Sequence, residues 1–141
     1  MDEFANNVTF NYESLEEAFP SCDPGVVPFG SRILIQLKTP KKVTKGGIHL
    51  TDDVIETEKY NTQVAKVVAV GELAFKNRNT MTSWPEGSWA VEGDYVRVPK
   101  YGGDRWTVST GNGENATFVI FNDLDLVGKV TGNPLAIKAF L

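Results

Sequence analysis

Short apolar runs separated by Gly, Pro and polar residues follow one another along most of this chain. From residue 31 onward, six such runs predict β-strands, since β-branched and aromatic residues fit a pleated, half-buried surface. No part of this region has a sustained 3.6-residue apolar period. The pattern therefore predicts an all-β fold, a small antiparallel barrel or sandwich. The predicted strands cover residues 31–37, 63–70, 95–98, 105–108, 116–121 and 124–130.

Two stretches do not follow the strand pattern. In residues 1–27, Ser14 and Glu17 form a capping-box pattern, but Pro20 limits any helix beginning there to two turns at most. Residues 75–89 contain Asn77, Asn79, Pro85 and Gly87, which interrupt a strand, so an irregular excursion is predicted there. Its aromatic residues are expected to pack at a rim or an interface, in preference to binding a ligand: Phe75, Trp84 and Trp89.

A long polar stretch, about residues 38–62, separates the first two predicted strands. Within it lie Gly46 and Gly47, followed by Ile48, His49 and Leu50. Residues two apart on an extended chain point the same way, so Ile48 and Leu50 would form one small apolar face. On its own this local pattern favours an ordinary hairpin entering a strand, and a flexible loop that docks onto a partner is the alternative.

Charge is unevenly distributed along the 141 residues. Residues 1–27 carry six acids and no Lys or Arg, whereas the rest carries 12 acids and 14 bases. The acidic leader therefore looks like an extension of a nearly neutral domain. Neither part has the basic face that nucleic acid requires. No apolar run is long enough to cross a bilayer, and the N-terminus lacks a signal-peptide pattern, so a cytoplasmic protein is expected.

The residues that usually carry catalysis or bind metal are scarce. His49 is the only histidine and Cys22 the only cysteine, and no carboxylates are spaced to complete a zinc site with them. A nucleophile and base pair would have to use His49, which lies in the polar stretch. The sequence therefore predicts no enzyme, no metal and no cofactor. A basic edge in the polar stretch lacks interleaved aromatics for stacking on bases: Lys38, Lys41, Lys42 and Lys45.

Taken in order, the segments resemble the GroES-type co-chaperonins, the lids of bacterial-type chaperonins. The first strand begins after Pro28 with Arg32, and the Gly-Gly pair precedes an apolar-x-apolar triplet and Thr51. A valine-rich strand ending at Gly71, a Gly-Asp pair before residue 95, a Lys-Tyr-Gly turn at Tyr101, and an apolar strand with Asp over residues 118–127 follow. The resemblance covers residues 28–130.

The chain departs from the family pattern in three places. Residues 1–27 have no counterpart, residues 74–91 replace a short roof hairpin, and residues 131–141 continue past the usual end. Such divergence is similar to phage-encoded co-chaperonins, and a divergent bacterial lid fits equally well. The predicted organisation is an extension (1–27), a GroES-like barrel (28–130, mobile loop about 38–62) and a tail (131–141). Deletion of the leader is expected to leave the barrel folded with at most a modest loss of stability.

The resemblance implies a function in protein folding. The protein would be a chaperone component that forms a homo-oligomeric ring, a homoheptamer, and caps a GroEL-type chaperonin in the cytoplasm, or in the host cytoplasm if it is phage-encoded. ATP would be bound by that partner, and unfolded clients would be met only indirectly. Tyr101 would face the cavity. The chaperonin-binding residues would be Gly46, Gly47, Ile48, His49, Leu50 and Thr51.

Two other functions fit the same residues. A β-barrel structural protein of a virion could use residues 1–27 and 131–141 as arms that grip neighbouring copies. An oligonucleotide-binding barrel could use the basic edge, with the steep salt dependence that phosphate contacts produce.

The polar stretch gives a testable prediction. In the isolated protein, residues 41–59 should exchange their amide hydrogens rapidly, because the polar composition and the Gly pair provide no strand pairing to protect them. Hydrogen exchange of the free protein measures this directly. Slow exchange throughout the segment would show that the hairpin interpretation is correct.

Overall fold

A computed structural model describes residues 15–39, 63–111 and 115–135 of the chain. Within these ranges, one short helix, α1, covers Leu15–Ala18 and is followed by six strands. The strands are β1 (Arg32–Leu37), β2 (Val64–Val70), β3 (Tyr95–Arg97), β4 (Asp104–Ser109), β5 (Asn115–Asn122) and β6 (Gly128–Lys129), with a 3₁₀ turn at Asp123–Asp125. The strands form one antiparallel sheet in the order β4-β5-β1-β2-β3-β6. The apolar pattern predicts an all-β antiparallel barrel or sandwich, and the structure is the small antiparallel β-barrel.

Strand β1 lies at the centre of the sheet. It pairs with β5 from Arg32 opposite Asn122 to Gln36 opposite Phe118, and with β2 on its other side. The pairing with β2 shifts by one residue between Leu34 and Ile35. Such a bulge increases the local twist, which bends the sheet around its own core.

The inner face of the sheet encloses the main core. Ile33, Ile35 and Leu37 of β1 point into it, together with residues of β2, β3 and β5 and of the excursion after β2. Alternate residues of β1 point to the opposite face, where Leu34 packs with Ala116 and Phe118 in a second cluster. Strand β1 is therefore buried on both faces, which explains its nearly continuous apolar sequence.

The outer face of β1 is covered by residues 15–24, which we call the strap. Its carbonyl groups accept three hydrogen bonds from the sheet: Thr39 N–H to Ala18 O (2.8 Å), Gln36 Nε2 to Pro20 O (2.7 Å) and Trp106 Nε1 to Pro24 O (2.8 Å). Cys22 packs beside the second cluster between these bonds. The strap thus runs from the end of β1 to β4, and it supplies the partner that the buried Gln36 amide needs.

Gly71 shows why the turn after β2 has its sequence. A Cβ at this position would lie 2.1 Å from the carbonyl oxygen of Gly30. The Gly71 amide donates to Arg32 O at 2.9 Å, so the two backbone segments meet without room for a side chain. Any substitution at Gly71 would push apart the turn and the start of β1.

Three expectations about local structure can be compared with the structure. Helix α1 ends at Ala18, before Pro20, as predicted, and residues 75–89 contain only one isolated bridge, Lys76 to Ser83. The prediction of a single strand over residues 124–130 is wrong. Its first part is the 3₁₀ turn Asp123–Asp125, because the Asp125 carboxylate accepts the Asn122 amide locally at 3.3 Å, and only Gly128–Lys129 pairs with β3.

The contribution of the strap to stability can be measured by truncating the leader. Ala18 and Phe19 are 0% and 2% exposed, so part of residues 1–27 lies within a core cluster, while the boundary at Pro28 remains a prediction. We expect a chain lacking residues 1–27 to fold with about 2–3 kcal/mol less stability than a chain lacking residues 1–14, because burial of Phe19 alone contributes about that much. Urea unfolding of the two truncated chains measures the difference. Equal stability would show that the strap does not stabilise the sheet.

Candidate functional site

The predicted chaperonin-binding residues, 46–51, lie outside the described part of the chain. The structure does describe the two points at which residues 40–62 join the sheet. Strand β1 leads to Thr39 and strand β2 begins directly after Gln63, and Leu37 is paired with Ala65. Paired residues on antiparallel strands lie about 4.5–5.5 Å apart, so both connections lie at the same end of the β1–β2 pair.

Both connection points are held by hydrogen bonds. The Thr39 amide donates to Ala18 O of the strap at 2.8 Å. On the other strand, the Gln63 side-chain amide donates to Val98 O at 3.2 Å, and the Val98 amide donates to Gln63 O at 2.8 Å. Val64, next to Gln63, is buried with Ala18 and Phe19. The residues on either side of the segment 40–62 are therefore held in place by hydrogen bonds and packing.

An aromatic cluster holds together the excursion between β2 and β3. Phe75 contacts Trp84 edge to face with ring centroids 5.5 Å apart, and Trp84 lies 4.8 Å from the Trp89 ring. Phe75 is buried in the main core, whereas Trp89 is partly exposed. The cluster is the packing expected for these aromatics, and it joins the excursion to the barrel.

Asp123 connects this excursion to the strand ladder. Its carboxylate accepts the Phe75 amide at 2.9 Å and pairs with Arg78 Nη2 at 2.9 Å, and its own amide donates to Ser31 O at 3.0 Å. Asp123 is buried, and Phe75 has a φ of 60°, in the left-handed region that only a few non-glycine residues adopt. The buried carboxylate thus fixes a strained turn at the start of the excursion.

Tyr101 lies in the turn before β4 and is 74% exposed. The Lys100 ammonium lies 5.8 Å from the centre of its ring. Gly103, with a φ of 74°, completes the turn; a Cβ there would lie 2.5 Å from Val119 Cγ1. The turn is therefore packed tightly against β5 and leaves the Tyr101 ring accessible. That Tyr101 faces a cavity stays a prediction.

Two concave, partly apolar surfaces lie towards opposite edges of the sheet. The first, about 400 Å³, is formed by Val26, Val27 and Phe29 against residues of β4 and β5, and its lining also includes polar residues: Arg32, Asp104, Asn122 and Asp125. The second, about 330 Å³, is formed by Trp89 and Val127 with residues of β3 and β6. Each surface carries exposed apolar side chains; Phe29, for example, is 80% exposed. Two different apolar surfaces on one chain are suited to heterologous contact between neighbouring copies.

Among residues 15–39, 63–111 and 115–135, no group of three or more His, Cys, Asp or Glu residues could hold a metal ion. None of the helices described is long and apolar enough to span a membrane. Burial, and to a lesser extent the Asp23 carboxylate, raises the pKa of the Cys22 thiol. The thiol is therefore protonated at neutral pH and a poor nucleophile.

Sequence reasoning did not identify Asp123, Arg78 or the strap. Asp123 follows an apolar strand and looks like a turn residue, and Arg78 lies in a polar stretch 45 residues away. The signals in the leader were the capping-box pattern and its aromatic residues, which could pack on a barrel: Phe4, Phe10, Tyr12 and Phe19. The docking of α1 against β2 and β3 could not be predicted from them.

The family profile named "Chaperonin 10 Kd subunit" matches residues 25–130. The chain is 33% identical over 103 residues to the proteins named co-chaperonin GroES from Staphylococcus aureus strains JH9, Newman and MW2. Each alignment covers 73% of this chain and 96% of the relative. The protein belongs to the chaperonin 10 kDa subunit family and is a divergent GroES-type co-chaperonin. The resemblance identified from the motifs is confirmed.

Asp123 gives a testable prediction for the excursion. Asp123→Ala should destabilise the protein by about 2–3 kcal/mol, because the buried Phe75 amide loses its acceptor and Arg78 its partner. Urea unfolding followed by tryptophan fluorescence reports on the neighbouring Trp84 and Trp89. The control is Glu86→Ala, an exposed carboxylate within the excursion, which should cost only about 0.5 kcal/mol. Equal losses in both variants would contradict the anchoring role of Asp123.

Proposed function

We propose that this co-chaperonin assembles into a ring, a homoheptamer, that caps an ATP-driven GroEL-type chaperonin and encloses its folding chamber. Membership of the chaperonin 10 kDa subunit family carries the proposal. The partner binds and hydrolyses ATP, and the lid has no catalytic residues of its own. Unfolded clients are met only inside the closed chamber, in the cytoplasm.

The proposed contact uses Gly46, Gly47, Ile48, His49, Leu50 and Thr51. We call these six residues the hook. They belong to a segment that connects neighbouring strands at one end of the β1–β2 pair, and this supports a role in reaching a partner. Both ends are hydrogen-bonded to the barrel, at Thr39 and Gln63. A rigid base with an apolar hook is suited to reaching a groove on a partner ring.

The energetics of such a hook favour weak single contacts. Burial of Ile48 and Leu50 contributes roughly 1.5–3 kcal/mol each. Ordering the backbone opposes this by about 1–2 kcal/mol per residue, so one hook alone binds weakly. Several hooks on one ring raise the effective concentration of each further contact. Binding is then tight as a whole, and it is released when the partner changes state.

The two apolar surfaces support ring assembly. Val26, Val27 and Phe29 lie towards the β4 edge of the sheet, and Trp89 and Val127 lie towards the β6 edge. In the proposed ring, the first surface of one copy faces the second surface of the next. A repeated heterologous contact of this kind closes into a ring when the rotation between copies allows it. Tyr101, exposed in its turn, is proposed to face the enclosed cavity.

Native mass measurement tests the assembly and the partner together. The purified protein is measured alone, and again with a bacterial chaperonin in the presence and absence of ATP. We expect a ring of identical copies that joins the chaperonin only with nucleotide. A ring or larger shell that ignores the chaperonin and ATP would instead favour a structural protein of a virion. Binding to single-stranded DNA that falls steeply with salt would favour an oligonucleotide-binding barrel.

Leu50→Asp tests the hook itself. The variant should lose ATP-dependent capping while the barrel and ring stay intact, because a charge entering an apolar groove carries a large desolvation penalty. Ile55→Asp, the same kind of change in the same segment but outside the proposed hook, is the matched control and should still cap. Binding is measured by co-sedimentation with the chaperonin, and folding by circular dichroism. Unfolding of Leu50→Asp would instead identify Leu50 as a core residue.

A further inference from the structure

One part of the strap touches both connections of residues 40–62. Ala18 and Phe19, which we call the wedge, are both buried at the end of the β1–β2 pair where β1 ends and β2 begins. The Ala18 carbonyl accepts the Thr39 amide at 2.8 Å, which holds the outgoing connection. The same two residues pack against Val64, the first residue of β2, which holds the returning connection.

The wedge also has a firm support behind it. The Phe19 ring meets the Tyr95 ring edge to face, with centroids 5.1 Å apart and planes at 61°. Tyr95 is in β3, paired with Lys66 of β2, and its carbonyl accepts the Val130 amide at 2.8 Å. Burial raises the pKa of Tyr95, in agreement with a ring packed into this cluster. The wedge is therefore seated against two strands and the chain after β6, and cannot shift without breaking these contacts.

We propose that the wedge is a positioning element for chaperonin binding: Ala18 and Phe19 fix the positions of Thr39 and Val64, the residues through which the segment 40–62 is joined to the sheet. This inference rests on the function proposed above. A connection held in one arrangement loses less conformational freedom when its segment binds, so binding is stronger. When only a fraction of copies holds the competent arrangement, the apparent dissociation constant rises by the inverse of that fraction.

The location of the wedge in the chain makes it a feature added to the shared fold. The family match begins at residue 25, so Ala18 and Phe19 lie outside the part of the chain that the family profile covers. The wedge nonetheless contacts Thr39 and Val64, which lie inside the matched region. A leader that only increased solubility would be expected to leave its side chains exposed. Phe19 is instead buried beside both connections.

Two matched variants separate positioning from general stability. Phe19→Leu reduces the wedge, and Phe121→Leu makes the same change to a buried phenylalanine paired with Ile33, at the end of β1 away from Thr39. Hydrogen exchange of the Thr39 amide is the first readout. The two variants are compared under conditions that give them the same free energy of unfolding. Relative to the wild type, the exchange rate of the Thr39 amide should rise by about tenfold or more in Phe19→Leu and stay unchanged in Phe121→Leu. Tyr95→Leu, which weakens the wedge from its other side, should behave like Phe19→Leu and replaces it if that variant fails to fold.

Binding to a bacterial chaperonin ring with ATP is the second readout. Phe19→Leu should weaken capping by roughly tenfold or more relative to Phe121→Leu, with both variants giving the ring mass of the wild type. Equal Thr39 exchange in the two variants would overturn the positioning role. Faster Thr39 exchange with equal capping would show that positioning does not matter for binding. If the wild type itself shows no ATP-dependent binding, the proposed function fails, and Thr39 exchange still decides whether the wedge holds the connection.

Discussion

The burial of β1 on both faces is the constraint on which the rest of the structure depends. A strand with Ile33, Ile35 and Leu37 on one face and Leu34 on the other needs two covers. The barrel core covers the inner face, and the strap, residues 15–24, covers much of the outer face. Since apolar surface left in water reduces stability, the leader is part of the folded protein from at least residue 15 onward.

The same arrangement connects stability with the proposed function. The strap that covers β1 ends at its Thr39 side in a wedge that also reaches Val64. At the opposite end of β1, Asp123 bonds to Ser31 O and fixes the Phe75 turn. Each end of the central strand is therefore tied to a segment outside the strand ladder, the strap at one end and the excursion at the other. The barrel acts as a rigid frame to which both segments are attached.

Much of the fold could be predicted because the relevant signals are local. Runs of β-forming residues between Gly, Pro and polar residues located the six described strands to within a few residues, except for the beginning of the last. There the short-range bond between the Asn122 amide and the Asp125 carboxylate replaced strand geometry with a 3₁₀ turn. The order of short motifs, taken together, also identified the family. Any one of those motifs alone was compatible with an ordinary turn or hairpin.

The sequence by itself determined the strand pattern, the family and the residues proposed to bind the chaperonin. Only the tertiary structure decided which polar groups are paired and what covers the sheet. Gln36 is a polar residue within an apolar strand, and the structure shows that it is buried and donates a hydrogen bond to Pro20 O. Asp123 looked like a turn residue, yet it anchors an excursion 48 residues away. Such pairings depend on which distant segments the folded chain brings together, and neither periodicity nor local propensity carries that information.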